Sequence, residues 1–164
     1  MDKKTTTPDE VLAAVRYEPE TGLFRYARSS PTTRVGDIAG SKDSKGYIRI
    51  QIGRRYFRAH RLAWLLTYGK APDSSIDHIN GIRSDNRIAN LRTASHQVNC
   101  QNMRKASVRN KSSGLLGVTA SRGRWLAQIS INGESHFLGR FQNANDAHCA
   151  YVAAKRQLHE GCTL

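Results

Sequence analysis

The sequence is poor in the residues that build disulfide frameworks and thiolate metal sites. Its three cysteines, Cys100, Cys149 and Cys162, are odd in number and far apart. None of them belongs to a C-x-x-C pair, so the cysteines indicate neither a disulfide framework nor a cysteine zinc site. We therefore expect three reduced thiols.

Long apolar runs are lacking as well. No segment approaches the roughly 18 apolar residues that a membrane-spanning helix requires, and no basic amphipathic helix stands apart from folded sequence. The first residues, Met1 to Thr5, are polar and lack the apolar core of a secretory signal. These absences argue against a membrane partner and against secretion, so we expect a cytoplasmic protein.

Acidic residues are scarce relative to basic ones. The 164 residues contain 13 Asp and Glu against 26 Lys and Arg, which gives a formal net charge of +13. This surplus predicts an anionic partner, and a nucleic-acid backbone fits best because each cation that neutralises a phosphate releases a condensed counterion. The hydrophobic fraction of 38% supports compact cores, in one ordinary domain or two small ones.

The spacing of apolar residues predicts an α+β protein of short elements. Strands are expected at 23–26 and 47–52, a basic turn at Gly53-Arg54-Arg55, and a helix from His60 to Tyr68. Two short strands and a helix capped by Thr93 or Ser95 follow. Further strands are expected near 117–120, 124–131 and 134–140, followed by a helix over about 143–159. Residues 105–113 are basic, small and aperiodic, so we interpret them as a linker between domains 1–104 and 114–164.

The densest group of polar residues lies in the first of these domains. It runs from Ile76-Asp77-His78-Ile79-Asn80-Gly81 through Asp85-Asn86-Arg87 and Asn90-Leu91-Arg92 to Asn99 and Asn102. An Asp-His pair alone is usually a surface or turn feature, but few structural needs would gather all these residues. Together they resemble the HNH endonuclease family, particularly the phage and intron-encoded homing enzymes. The resemblance covers most of residues 17–102 and implies a β-β-α-metal (His-Me finger) nuclease domain.

The resemblance implies a role for each polar residue of the motif. His78 would be the general base, since a histidine with a reference pKa of about 6.5 is largely neutral at cellular pH. Asp77 and Asn99 would bind one divalent ion through oxygen atoms, which favours Mg²⁺ or Mn²⁺ over Zn²⁺. Asn90 would hydrogen-bond across the polar loop and hold the histidine. His60 has two possible roles: it orients the site or touches phosphate, or it caps or packs, which is the commoner role.

A second resemblance concerns the C-terminal residues. The runs Ser113-Gly114-Leu115-Leu116-Gly117-Val118, Arg124-Trp125-Leu126-Ala127-Gln128-Ile129, Phe137-Leu138-Gly139-Arg140-Phe141 and Asp146-Ala147-His148-Cys149-Ala150-Tyr151 resemble the APETALA2-type DNA-binding domain. That family fold is a three-stranded antiparallel sheet packed on one helix, with its open face in the major groove. The family's contact positions correspond here to Thr119, Ser121, Gln128, Ser130, Ser135 and Phe137. Several of these positions carry arginine or tryptophan in the plant regulators, so their base preference does not transfer.

Basic residues in both domains are expected to contact DNA. In the second domain these are Arg122, Arg124 and Arg140, which would reach phosphates. In and directly after the first domain the expected contacts are Arg54, Arg55, Arg61, Arg87, Arg92, Arg104 and Lys105.

The sequence as a whole predicts a metal-dependent DNA endonuclease of the phage or homing type. It would act on double-stranded DNA in a bacterial host, as a monomer without an obligate protein partner. One alternative is a non-catalytic DNA-binding regulator derived from such a nuclease, because fold alone does not decide function. Another is an RNA-binding protein, which would need exposed stacking aromatics and has only Phe137 to offer.

Overall fold

The computed structural model describes residues 8–108 and 110–163, without the side chains of Pro8 and Glu10. Residues 1–7, Arg109 and Leu164 belong to the expected domains and linker but lie outside the described residues. The chain forms two compact units, one ending at Ala94 and the other beginning at Ser95. This division lies before segment 105–113, where the composition places the linker. Among the described residues, no helix is long and apolar enough to cross a membrane.

Over residues 8–94, the first unit combines two helices with three small antiparallel sheets. In chain order the elements are α1 (Pro8–Ala14), β1 (Val15–Glu18), β2 (Leu23–Tyr26), β3 (Ser41–Lys42), β4 (Ile48–Ile52), β5 (Arg55–Arg58), α2 (Ala59–Tyr68), β6 (Ser75–His78), a 3-10 turn (Ile88–Asn90) and β7 (Leu91–Ala94). β1 pairs with β2, β4 lies between β3 and β5, and β6 pairs with β7. Ile50 of β4, Leu62 of α2 and Phe24 of β2 are buried in one hydrophobic core.

Two glycines shape this unit by backbone conformation. Gly69 ends α2 with a φ of 72°, and its N–H donates to the carbonyl of Leu65 at 2.9 Å. Gly22 turns the chain between β1 and β2 with a φ of +73°. A Cβ atom at Gly22 would lie 2.4 Å from the backbone nitrogen of Arg87, so the turn packs directly on the loop that joins β6 to β7.

The second unit is a three-stranded antiparallel sheet packed on one long helix. Its elements are α3 (His96–Gln101), β8 (Val118–Ser121), β9 (Arg124–Ile131), β10 (Glu134–Phe141) and α4 (Ala144–Leu158), with β9 in the middle of the sheet. Val118, Ala127 and Ala147 form the buried centre of its core. The α+β fold class and the sheet packed on one helix are as predicted.

Strand alternation gives the sheet one inner and one outer face. Ala127 and Ile129 are buried, whereas Gln128 and Ser130 are exposed, because successive side chains of a strand point to opposite faces. The register of β9 with β10 shifts between Phe137 and Gly139, so that Leu138 joins the core while Phe137 stays outside. The helix therefore covers one face only.

Segment 105–113 is bonded to the sheet at its C-terminal end. The side-chain amide of Asn110 donates to the carbonyl of Leu115 at 2.9 Å, and the Ser113 hydroxyl donates to the carbonyl of Val118 at 2.7 Å. These bonds fix the chain as it enters β8. A linker-like composition is compatible with this local order, because asparagine and serine side chains readily hydrogen-bond to nearby backbone groups.

Candidate functional site

Asp77 and His78 are the last two residues of β6 and are both buried. They are 6% and 4% exposed, and across the hairpin they face Arg92 and Leu91 of β7. As neighbours on one strand, their side chains leave the sheet on opposite faces. The hairpin therefore places a carboxylate and an imidazole on the two sides of one short strand.

Asn90 holds the loop that follows His78. Its side-chain oxygen accepts from the backbone N–H of Asn80 at 2.9 Å, and its side-chain nitrogen donates to the carbonyl of Asp85 at 2.8 Å. The N–H of Ile79 donates to its carbonyl at 2.9 Å. These three bonds tie both ends of the loop to one buried asparagine, so the backbone that positions His78 is fixed.

The imidazole of His78 lies beside the side chain of Asn86. The distance from His78 Nε2 to Asn86 Oδ1 is 3.4 Å, and Asn86 is only 2% exposed. The Tyr17 hydroxyl donates to the Asn86 carbonyl at 2.7 Å, which anchors this asparagine to β1. An amide oxygen facing Nε2 favours the tautomer that carries its proton there, so that Nδ1 keeps its lone pair. Burial lowers the pKa of His78, which favours the neutral base.

Asn86 is the contact that sequence reasoning missed. The motif contains several asparagines, and nothing in their order distinguishes the one that lies against the histidine.

His60 and Tyr47 complete the surroundings of His78. The rings of His60 and His78 meet edge to face with centroids 5.2 Å apart, and the Tyr47 ring lies 5.9 Å from that of His78. His60 is 8% exposed, and its Nδ1 has no hydrogen-bond partner within the described residues. Burial, followed by the charges of nearby groups, lowers the pKa of His60 to about 3. His60 is thus a neutral ring packed against the candidate base.

This burial of His60 predicts acid sensitivity. The pKa of His60 is about 3 in the folded protein and 6.5 ordinarily, so the unfolded chain takes up a proton that the folded chain does not. The stabilisation is complete above about pH 6.5 and is lost as pH falls toward 3, by roughly 1.4 kcal/mol per pH unit at most. His60→Phe should therefore flatten the pH dependence of urea unfolding over that range. The exposed His136→Phe should not, and an unchanged curve for His60→Phe would contradict the buried neutral state.

Several of the arginines expected on DNA are bonded within the chain. Arg92 Nε and one terminal nitrogen donate to Asp77 Oδ2 at 3.1 and 2.9 Å. Arg87 donates to both oxygens of Asp85 at 2.9 and 2.6 Å, and these bonds lower the pKa of Asp85 to about 2. A guanidinium has five donors, so a bonded arginine can still meet a phosphate. Arg54, Arg55, Arg61 and Lys105 are exposed.

Two further arginines, which the sequence analysis does not single out, lie over the ring of Tyr47, the tyrosine next to His78. The guanidinium carbons of Arg58 and Arg83 lie 4.9 and 5.0 Å from the centre of the Tyr47 ring. Arg83 also donates to the carbonyl of Lys45 at 3.0 Å, and Arg58 forms an ion pair with Asp43. Two guanidinium groups therefore lie near the buried histidines, one of them paired with Asp43.

Asn99 lies on α3, in the second unit. Ser95 caps this helix by accepting from the N–H of Val98 at 3.2 Å, as one of the two predicted caps. The residues after Asn99 are bonded to the C-terminal segment: Gly161 N–H donates to Gln101 Oε1 at 3.0 Å, and Arg104 donates to the carbonyl of Thr163 at 2.6 Å. Helix α3 is thus held by the end of the chain.

A buried lysine adds to this attachment. Lys155 of α4 is 1% exposed and donates to the carbonyl of Met103, and the hydroxyl of Thr163 donates to Asn102 Oδ1. Burial lowers the pKa of Lys155. A charged group at this depth is stable only if it is bonded, so its contact with the segment after α3 is a structural requirement.

The described residues contain no group of three or more His, Cys, Asp and Glu side chains that could hold a metal ion by themselves. Asp77 offers a carboxylate, a hard oxygen donor of the kind that Mg²⁺ takes, since Mg²⁺ is usually bound through one or two carboxylates together with water and substrate phosphates. A carboxylate ligand differs from the nitrogen and sulfur ligands of structural zinc sites.

The outer face of the second unit's sheet contains the residues expected to contact DNA. The strand register and exposure place these on that one face: Thr119, Ser121, Arg124, Gln128, Ser130, Ser135, Phe137 and Arg140. Arg122 lies in the turn between β8 and β9 with a φ of 48° and is exposed. The face is open, since α4 packs on the other side.

Comparison with known proteins gives one finding. Residues 57–101 match the model of the family described as HNH endonuclease. This segment extends from β5 through α2 and the β6–β7 hairpin to the end of α3. No curated protein and no solved structure matches the chain. The family match ends before the C-terminal sheet, so the resemblance to APETALA2 domains stays a prediction.

Proposed function

We propose, from the match of residues 57–101 to the HNH endonuclease family, that this protein is a metal-dependent DNA endonuclease of the phage or homing type. The observation that carries the proposal is the environment of His78. Its imidazole is buried, is kept neutral by that burial, and lies against the Asn86 amide at the end of a hairpin that also presents Asp77. A neutral, oriented imidazole is suited to accept a proton from water.

Several residues of the chain contribute to hydrolysis, each in a different way. His78 accepts the proton of the attacking water through the ring nitrogen that does not face Asn86. Asn90 keeps the loop closed behind it, so that the ring stays in one position as charge develops. Arg92 fixes one oxygen of Asp77, which limits the rotation of the carboxylate. Such preorganisation lowers the barrier because the groups need not reorient during the reaction.

The proposed cofactor is one divalent ion, Mg²⁺ or Mn²⁺, with Asp77 and Asn99 as its protein ligands. When bound, it would supply positive charge next to the departing oxygen of the cleaved phosphodiester. The assignment of Asn99 rests on the family resemblance, and that of Asp77 also on its buried position next to His78.

The proposed substrate is double-stranded DNA. The outer sheet face and the exposed basic residues of the first unit would bind it, and the net charge of +13 favours this association. We propose that the protein acts as a monomer. The competing proposal of a non-catalytic regulator predicts the same binding without cleavage.

A plasmid assay tests the function. Supercoiled plasmid incubated with the protein should be nicked or linearised with Mg²⁺ or Mn²⁺ and should stay intact with a chelator. Binding to the plasmid without cleavage under all three conditions would favour the regulator, and cleavage that persists in chelator would exclude a metal-dependent reaction.

Asn99 is tested through the metal requirement. Asn99→Ala should raise the Mg²⁺ or Mn²⁺ concentration for half-maximal rate by about tenfold or more, because the ion loses a protein ligand. Asp77→Ala should abolish turnover. Cys100→Ala, at an exposed position of the same helix, is the matched control and should leave the titration unchanged. A metal titration that Asn99→Ala does not shift would remove Asn99 from the site.

A further inference from the structure

The outer face of the C-terminal sheet has an apolar centre. Phe137 of β10 is 63% exposed and lies opposite Gln128 of β9. Leu126 precedes Gln128 by two residues on the same side of β9, between Thr119 and Arg140 on the neighbouring strands. A phenylalanine, a leucine and a threonine thus share this face with a glutamine.

The charge of the surface around this centre is positive. Arg124 and Arg140 lie on the same face, and Arg122 is in the adjoining turn. The acidic residues of the described segment 114–163 are elsewhere. Glu134 pairs with Ile131 on the inner side, Asp146 is in the first turn of α4, and Glu160 follows α4. A face with an apolar centre and a basic border is complementary to a DNA groove, where base edges are framed by phosphates.

We propose that this face reads A·T base pairs in the major groove, with Phe137 and Leu126 in contact with thymine methyl groups and Gln128 bonded to adenine. The inference rests on the proposed function, since it requires that the protein bind double-stranded DNA. It adds the sequence class that the sheet selects.

The chemistry of the groove supports this assignment. Apolar side chains recognise the C5-methyl group of thymine, and the glutamine amide bonds the N6 and N7 edge of adenine. Directly opposed residues in a sheet have Cβ atoms roughly 5 Å apart, and stacked bases are about 3.4 Å apart along each strand. Gln128 and Phe137 can therefore reach neighbouring bases. Arg124 begins β9 beside the turn and Arg140 is on an edge strand, so we assign both to phosphates.

The proposal is tested with pairs of duplexes that differ only in the C5-methyl group of the pyrimidine. The full chain is titrated, in chelator to prevent cleavage, with four 30-base-pair duplexes. Two are alternating A-T and the same duplex with deoxyuridine for thymidine. The other two are alternating G-C and the same duplex with 5-methylcytosine. The last pair supplies a groove methyl group without an A·T pair, which separates the methyl contact from differences in DNA shape.

The wild-type protein should bind the thymidine duplex about fourfold more tightly than the deoxyuridine duplex for each methyl group that it buries. It should likewise prefer the 5-methylcytosine duplex to its unmethylated form. In Phe137→Ala the methyl preference should fall toward one in both pairs. Leu158→Ala, which truncates an exposed leucine on α4, is the matched control and should keep the preference. Thermal unfolding of both variants checks that the fold is intact.

The outcomes separate the two proposals. Equal binding of methylated and unmethylated duplexes would overturn the inference and leave the nuclease proposal standing. Failure to bind any of the duplexes would overturn both. Tighter binding to single-stranded RNA than to the thymidine duplex would also overturn the inference, because it would assign Phe137 to base stacking.

Discussion

Replacement of His78 by alanine should lower the rate of DNA cleavage by about 10²- to 10⁴-fold, the usual contribution of a general base. Affinity for DNA should change by no more than a few-fold, because the imidazole is buried and acts on water. The reason for the expected loss is specific to this ring. It lies against the Asn86 amide and packs against the ring of His60.

The measurement is single-turnover cleavage of plasmid at saturating protein, which isolates chemistry from binding. His136→Ala, at an exposed position of β10, is the matched control and should cleave at the wild-type rate. Because His78→Ala leaves a cavity, urea unfolding of the variant must show a cooperative transition. A folded His78→Ala that cleaves at a near wild-type rate would contradict its assignment as the base.

Deletion of the C-terminal sheet should weaken DNA binding and raise the metal concentration that cleavage requires. A chain that ends at Arg104 loses the outer sheet face, and the loss of a tethered binding surface can weaken binding by about 10²-fold. The salt dependence of binding should become shallower as phosphate contacts disappear. The same deletion removes Lys155, Gly161 and Thr163, the partners of the segment after Asn99. A six-residue helix is only marginally stable in water, so the loss of these bonds should destabilise it and cleavage should also require more metal.

A full-length control separates these two effects. Substitution of Arg122, Arg124 and Arg140 by glutamine removes the charges but keeps the bonds to the α3 segment. It should weaken binding and flatten its salt dependence without a shift in the metal titration. If the truncated chain binds as tightly as the full chain, the sheet is not the DNA anchor. If its metal titration equals that of the full chain, α3 does not depend on the C-terminal segment.

Regular patterns in the sequence were the reliable source of prediction. The period-two alternation of β9 predicts which side faces α4, because a strand has only two faces, and Ala127 and Ile129 are buried accordingly. The hairpin turns at 121–123 and 132–133 follow from glycine and asparagine, and Arg122 and Asn132 indeed adopt positive φ angles. The 3.6-residue spacing of α2 likewise predicts its buried leucines.

Periodicity and composition do not predict contacts between residues that are distant in sequence. Composition predicts a linker at 105–113, and this prediction carries no information about the contacts that group residues from Ser95 onward with the C-terminal sheet and helix in one compact unit. Bonds from Lys155 and Gly161 to the α3 segment are made across more than 50 residues of chain, and no periodicity encodes them. The same holds for His60, because only the folded structure shows that its ring meets that of His78.

The close approach of Gly22 to the loop after β6 has a genetic consequence. A side chain at position 22 would press on the backbone of Asn86 and Arg87, which lie 2.6 and 2.4 Å from its Cβ position. Since Asn86 is the neighbour of His78, such an allele would behave as an active-site mutation although it maps to a turn near the start of the chain. In a screen for loss of activity, substitutions at Gly22 would have the same phenotype as substitutions in the histidine motif. Second-site mutations that restore activity are expected at residues whose substitution lets the loop between β6 and β7 move away from position 22.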